Sequence, residues 1–511
     1  MIKLKHIVKS ALILSAFFLS MFTYAQTNIL ELLPGSERLE YDQKTGIHKL
    51  YGNVNFKYQN NVMFCDSAYY YQRKNEVYAY GNVHINKRDT LNLFCDSLFY
   101  NGNIRKAKLW GHVRVRDNSY KLTCDSLDYD AKSGQASYTT GGVIESITSK
   151  EKLTSRVGYF HPETKNFFFS KDVHYESNEV KMTTDTLRYL YKKNTAYFYG
   201  PTNIFTDSAT IYCEGGEYNT DTQEGILTDN ASINKEKEYI SGDTLIYLPK
   251  RHEYIGKGNV FYRDSTEDLS FSAHYAYNSD SLKYRILTGR ALVTKYLEDD
   301  TVYIHADTLK NTWTDTSDVI SGYQHTKILS ANVSGISDSL IFNKKDSILH
   351  LIGQPTLWSD KTEIKGRLIE VVLQDSLLNQ ANIYDSASII MPVEKDKYYN
   401  QIYGNRIIAY FDTSYVHRAD VFGNAITIAF PEEENKNDSV LTVKRVGMNR
   451  LYSSDIRVDL DSSGIIGIAY LQLPDGMFYP MKSIKSDEQF IPGFNDKSAL
   501  KPEQIEDLFN D

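Results

Sequence analysis

The chain has 511 residues, 41% of them hydrophobic, with 40 Tyr, 23 Phe, only 11 Pro and a formal net charge of −8. That length admits one long repeat protein or about two to four ordinary domains, and the regular, proline-poor apolar pattern excludes wholesale disorder. No basic run and no cluster of Lys or Arg with aromatics is present, so an acidic chain of this kind is not built to bind nucleic acid.

The first element is a leader. Lys3, Lys5 and Lys9 precede the apolar run "ALILSAFFLSMF" (Ala11 to Phe22), and "TYAQ" follows. This order of charged, apolar and small residues predicts a secretory signal peptide over 1–25, cleaved after Ala25. An uncleaved anchor is the alternative, although the run falls short of the about 20 apolar residues a span needs. No cysteine stands at the cleavage point, and no later segment reads as a membrane helix. Removing the three lysines takes the net charge from −8 to −11. The mature chain is expected to be exported, and soluble or peripheral.

A repeat then occupies nearly everything else. "CDSAYYYQRKNEVYAYGNV" (Cys65 to Val83) returns thirty residues later as "CDSLFYNGNIRKAKLWGHV" (Cys95 to Val113). With Asp66 as the marker, equivalent positions are Glu37, Asp66, Asp96, Asp125, Arg156, Asp185, Glu214, Asp243, His274, Asp307, Asp338, Arg367 and Asn405, spaced 29–33 residues apart except for a last step of 38. A fixed period of this size specifies architecture.

The pattern inside a repeat predicts two strands. Leu93 and Cys95 share one parity and Leu98 and Tyr100 the other, so the apolar face switches at Asp96-Ser97, as at a bulge or corner. A second strand such as "EVYAYGNVHI" follows and is expected to close on Gly-Asn-Val. No 3.6-residue apolar stripe of useful length appears in the repeats, which leaves an all-β, solenoid-like stack of about thirteen repeats of ~30 residues, each burying its apolar face on its neighbours. The array is expected over 26–430, a continuation of the β stack over 431–474, and a flexible or partly helical tail over 475–511, with any helix falling at "KPEQIEDLF".

The unit "A/G/C-D-x-L-x-Y … G-N-V-x-I" resembles the OstA/LptA repeat of lipopolysaccharide transport proteins, in the OstA-like form of the Bacteroidetes. The resemblance covers about residues 30 to 430. It implies an elongated, twisted β-jellyroll whose apolar interior holds acyl chains, a periplasmic or outer-membrane-associated location, and lipopolysaccharide or a related lipid as ligand. It also implies other Lpt-type transport proteins as partners through edge-strand pairing, with peripheral contact to inner- and outer-membrane complexes. This chain is several times longer than a typical LptA and too short to add the large barrel of LptD.

Three sets of residues could carry function. The apolar position before each marker gives a column at Met63, Leu93, Leu122, Met182, Ile211, Ile240, Phe271 and Ile304, the candidate lipid groove. The same residues would also fill a dry core, so a structural or adhesive scaffold competes with a lipid-binding bridge. The aspartates Asp66, Asp96, Asp125, Asp185, Asp243, Asp307 and Asp338 are read as corner formers, because Arg156 and Arg367 at equivalent places would be poor metal ligands. An enzyme would need one special carboxylate cluster, whereas these are spread one per repeat; no catalytic residue, metal ligand or cofactor is expected, and no phosphate-binding G-x-x-x-x-G-K-[ST] is present. Cys65, Cys95, Cys124 and Cys213 share one small-residue column. Disulfides are conceivable in an exported chain, but a repeat of two ladder steps separates neighbours by about 10 Å, which favours buried free thiols. "DLDSSG" (Asp459 to Gly464) imitates a calcium loop, yet Tyr470 stands where the bidentate Glu belongs, and a hairpin is expected instead.

Overall fold

The two copies at 65–83 and 95–113 lie on four strands of a computed structural model, Asn61–Tyr71, Glu76–Lys87, Leu91–Asn101 and Lys106–Arg116. Each repeat is thus two long antiparallel strands. The structure describes residues 31–510 apart from 59–60, 88–90, 117, 119, 131, 162–165, 208, 220–221, 223, 375–376, 395–396, 413–414, 438–439 and 462–463. The expected signal peptide lies outside the described residues. Among them there are strands and short 3-10 turns but no α-helix, and no helix is long and apolar enough to cross a membrane.

Two compact units divide the chain, Met1–Tyr254 and Ile255–Asp511. In the N-terminal unit the ladder runs in chain order from Arg38–Asp42 and Ile47–Tyr58 to Glu238–Leu248. In the C-terminal unit it runs from Leu269–Ser279 through Leu377–Glu394 and Tyr398–Asp412 to Gly447–Asp461. Glu432–Asn437 and Val440–Arg445 pair with each other as a separate hairpin.

The corner explains why two motifs recur together. Tyr80 pairs with Ser97 and Val83 with Cys95, so the single residue Asp96 stands opposite Gly81 and Asn82. Both bulge residues are left-handed, with φ of 73° and 44°. Glycine takes that conformation freely, and asparagine is among the few other residues that tolerate it. The marker of the preceding strand props the same bulge: Asn82 Nδ2 donates to Asp66 Oδ2 at 2.9 Å, and a Cβ on Gly81 would collide with the Asp66 carboxylate. His112 bonds Asp96 in the same way at 2.7 Å, and Asn53 donates to Glu37 at 3.0 Å. Burial confirms the parity switch, since Cys65 and Ala68, three residues apart, are both inside.

Gly-Asn-Val therefore does not close a strand. Glu76–Lys87 runs straight through it, because two left-handed residues bend a strand without ending it. The marker and the glycine motif are the two halves of one corner.

The C-terminal segment also departs from expectation. Asp475–Pro480 is a strand paired with residues 447–452. Residues 481–510 follow as irregular chain with short 3-10 turns, one of them at Ile505–Phe509, laid over the sheet face that points away from the interior. An irregular segment must find partners for its backbone, and here the sheet supplies them. Gln401 Nε2 donates to the Gln489 carbonyl at 2.8 Å and Gln401 Oε1 accepts from Ile491 N at 3.0 Å. Arg450 donates to the carbonyls of Glu488 and Phe490, Lys365 to that of Asn495, and Lys327 to those of Asp507 and Asn510. Ile491, Phe490 and Phe494 cover Ile390, Tyr399, Ile428 and Met448.

The corner makes a direct prediction. Gly81→Ala adds both a left-handed alanine and a clash, and should lower stability by about 1–3 kcal/mol. Asp66→Ala in the same chain should recover part of that loss, measured as a coupling in denaturant unfolding. Strictly additive effects would contradict the contact.

Candidate functional site

The apolar column is a single line of cross-strand neighbours. In the N-terminal unit Met63 pairs with Ile85, Ile85 with Leu93, Leu93 with Val115, Val115 with Leu122 and Leu122 with Ile144. The line continues through Leu153, Tyr175, Met182, Ile204, Ile211 and Ile233 to Ile240. In the C-terminal unit a line of the same kind passes from Phe271 through Val293, Ile304, Ile328, Gly335, Leu357, Ile364 and Ile389 to Ile402. Directly opposed residues stand about 5 Å apart, so the N-terminal line is an unbroken apolar track on the inner face, and the C-terminal line is apolar at every step except Gly335, which has no side chain.

Sequence reasoning found only half of it. The other half comes from the second strand of each repeat, at Ile85, Val115, Ile144, Ile204, Ile233 and Val293. The signal was present, because Ile85 is the last residue of "GNVHI" and Val115 of "GHVRV".

The track is not uniformly open. Leu93, Leu122, Met182 and Phe271 are buried, whereas Met63, Ile211, Ile240 and Ile304 are half-buried. Around Ile211, Ile233 and Ile240 the buried apolar cluster shrinks to Cys213, Ala231 and Leu245, and the three isoleucines are left half-buried. In the C-terminal unit Ile364, Ile389 and Ile402 are fully enclosed within a large cluster.

The corner aspartates sit one per corner. Asp66, Asp96, Asp185 and Asp338 lie against Gly81, Gly111, Gly200 and Gly353. Asp307 accepts from His325 at 2.8 Å, Asp243 stands opposite the Asp229–Asn230 bulge, and Asp125 stands opposite Gly111 and His112. Among the described residues no group of His, Cys, Asp or Glu is arranged to hold a metal. Asp461 pairs with Gly464 across a hairpin, with the turn residues 462–463 outside the described set.

The thiols occupy the small column next to the corner. Val83 faces Cys95, and Val113 faces Cys124, so a valine strand separates successive cysteines by two ladder steps. All four are free and buried. Burial, reinforced by the neighbouring Asp66, pushes the Cys65 thiol up to about 12; Cys95 and Cys124 rise to about 12 and Cys213 to about 11 for the same leading reason.

The family model described as OstA-like protein matches residues 32–185. Over that stretch the chain is similar to OstA-like proteins. Among solved structures it is similar to LptH of Pseudomonas aeruginosa, described as the LptA homologous periplasmic component of the conserved lipopolysaccharide transport device. Identity is 18% over 27% of this chain and 81% of that one, with a TM-score of 0.15. No curated protein matches the chain. The matched stretch contains Met63, Leu93, Leu122 and Met182 of the column and the corner residues Asp66, Asp96, Asp125 and Asp185.

Buried thiols held this high should be inert. A water-soluble disulfide reagent at pH 8 is expected to leave all four unmodified in the folded chain, and to count four thiols per chain in denaturant. A count below four in denaturant without reductant would reveal a disulfide that the register does not allow.

Proposed function

We propose that this chain is a periplasmic, lipid-binding component of lipopolysaccharide transport to the outer membrane, holding acyl chains along its inner apolar track. The observation that carries the reading is the register, in which thirteen successive strands of the N-terminal unit each place an apolar residue on one line, half-open at Ile211, Ile233 and Ile240. The OstA-like match over residues 32–185 supports it. An acyl chain gains about 0.8 kcal/mol per buried methylene, and a track of near-equivalent steps holds it strongly without fixing it at one place. The role is binding and passage rather than catalysis. Any directional energy comes from a partner.

Partner proteins of the same transport class would join at strand edges, and through them the chain would reach complexes of the inner and outer membranes. Among the described residues, Glu31–Leu33 and Arg38–Asp42 pair on one side only, and so does Gly464–Leu471. Leu32, Leu39, Ile466 and Leu471 are exposed there, and an open edge templates an incoming strand.

A dry scaffold is the second reading, and the closed packing at Ile364, Ile389 and Ile402 favours it for that stretch. We therefore place the lipid at the half-open steps.

Purified full-length mature chain should bind lipopolysaccharide, and Ile233→Asp should weaken binding at least tenfold. Ser232→Asp, on the opposite face of the same strand, should leave it unchanged. Equal binding by both variants, each shown to be folded, would remove the track from the function.

A further inference from the structure

Three successive repeats carry an aromatic residue immediately before the bulge glycine, at Tyr51, Tyr80 and Trp110. The corner itself does not ask for a ring there. Ser170, Thr228 and Lys257 stand at the same place in other repeats, and nowhere else among the described residues do three repeats in succession carry a ring at it. Each ring points outward, because the residue one place earlier, Leu50, Ala79 or Leu109, is buried on the inner face. Pairing sets the rings in one cross-strand row with the serines that follow the markers, in the order Tyr51, Ser67, Tyr80, Ser97, Trp110, Ser126.

A second outward row runs beside the first, two residues away along each strand: Lys49, Tyr69, Tyr78, Phe99, Lys108. The Tyr69 ring stands edge-on to both Tyr51 and Tyr80, with centroids 6.4 and 5.8 Å away, and Tyr78 packs on Phe99 at 4.6 Å. All six rings are half-buried, so they support one another and keep part of their surface in solvent. The result is an outward aromatic platform. No cluster of lysines with aromatics stands along the sequence, where these residues belong to separate strands; the register assembles one.

Cations edge the platform. Lys49 lies over the Tyr69 ring at 6.0 Å and Lys74 over Tyr71 at 5.7 Å, and neither they nor Lys108 make an ion pair among the described residues. Most carboxylates nearby are engaged. Glu40 pairs with Arg38, Asp130 with Lys106 at 3.8 Å, Glu76 accepts from Asn101 at 2.9 Å, and Asp42 accepts from the amides of its own turn. Asp128, opposite Lys108, is the remaining one. Three ammonium groups against one carboxylate suit an anionic ligand.

The spacing narrows the class of ligand. Successive rings of the first row are two ladder steps apart, about 10 Å. A β-1,4-linked glycan flips each sugar relative to the last and shows the same face every second sugar, a repeat of closely the same length. The C–H face of a pyranose lies well on the electron-rich face of an aromatic ring, and its rim of hydroxyls meets Ser67 and Ser97 in the gaps between rings. A sheet twists from strand to strand, and the two torsions of each glycosidic linkage let a glycan follow it. Lys49 and Lys108 are four steps apart, about 19 Å, or two such repeats, which places them for carboxylates carried on alternate sugars.

We propose that this platform binds an unbranched β-1,4-linked amino-sugar glycan bearing carboxylates on alternate sugars, the chemistry of a bacterial cell-wall strand, laid across the strands along the ladder. The surface is on the face of the sheet opposite the inner track and needs no lipid; the periplasmic reading above supplies only the meeting of the two. Such a contact anchors the chain to the wall and leaves the inner track free.

The test titrates the full-length mature chain with soluble cell-wall glycan strands whose peptide stems have been removed. Binding is expected. Tyr80→Leu and Trp110→Leu, which keep apolar bulk and remove the ring, should each weaken it at least tenfold. Lys49→Gln combined with Lys108→Gln should weaken it at least threefold and flatten its dependence on salt. Chitohexaose, which has the linkage without the carboxylate, should bind more weakly than the strands and ignore the lysine changes. Tyr197→Ala removes a half-buried outward ring far along the same unit and should bind as the parent does. Lipopolysaccharide binding should be the same in Tyr80→Leu and Trp110→Leu as in the parent, so either reading can fail alone. Failure of the folded chain to bind the glycan strands, or binding indifferent to Tyr80 and Trp110, overturns the proposal. Equal competition by the polysaccharide freed from lipopolysaccharide, or by a single-stranded oligonucleotide, overturns it as well. In cells, a photoreactive amino acid at Ser97 should give an adduct that a muramidase collapses; an adduct to another protein that resists the muramidase would reassign the platform to a protein partner.

Discussion

A strand that turns a corner while keeping both of its halves apolar-side-in must lose step once, because side chains alternate with period two. Everything else in these units depends on how that step is lost. The marker strand spends one residue at the corner where its neighbour spends two, and the two are left-handed. A side-chain carboxylate then lies in the space that glycine leaves and bonds the residue after it. Backbone conformation, side-chain chemistry and register are satisfied by one arrangement, and repeating it sets the inner face of each long strand.

This also explains why the repeat tolerates so much drift. The corner needs a side chain that can reach the bulge and a bulge that can be left-handed, so His112 replaces asparagine beside Asp96, and Arg156 meets Asp172 with the charges exchanged. The apolar steps need only size and parity. Charges between them face solvent and are free to change.

Fold class, period, parity switch and the marker half of the track were legible because each leaves a local pattern. Leu93, Cys95 and Leu98 announce the switch without any knowledge of the neighbouring strand. The pairing of Asp66 with Gly81 and Asn82 was not legible as a contact, because it joins residues fifteen and more apart that each had a sufficient local reading as a turn former. Uneven openness was hidden for a similar reason: Ile240 and Ile364 are the same residue type at the same repeat position, and only the surrounding packing leaves one half-buried and the other enclosed. The C-terminal segment misled by its composition. Its order comes from Gln401, Arg450, Lys365 and Lys327, all distant in sequence and none of them distinctive there.

The account stands on the inner track being a lipid path rather than a core. The most direct measurement is crosslinking in living cells from a photoreactive amino acid at Ile211, Ile240 and Ile304, with Lys121 on the outward face as control. The predicted result is a lipopolysaccharide adduct from the three inner positions and none from Lys121. Folded protein with active export and no lipid adduct at any inner position would contradict it and leave a dry scaffold.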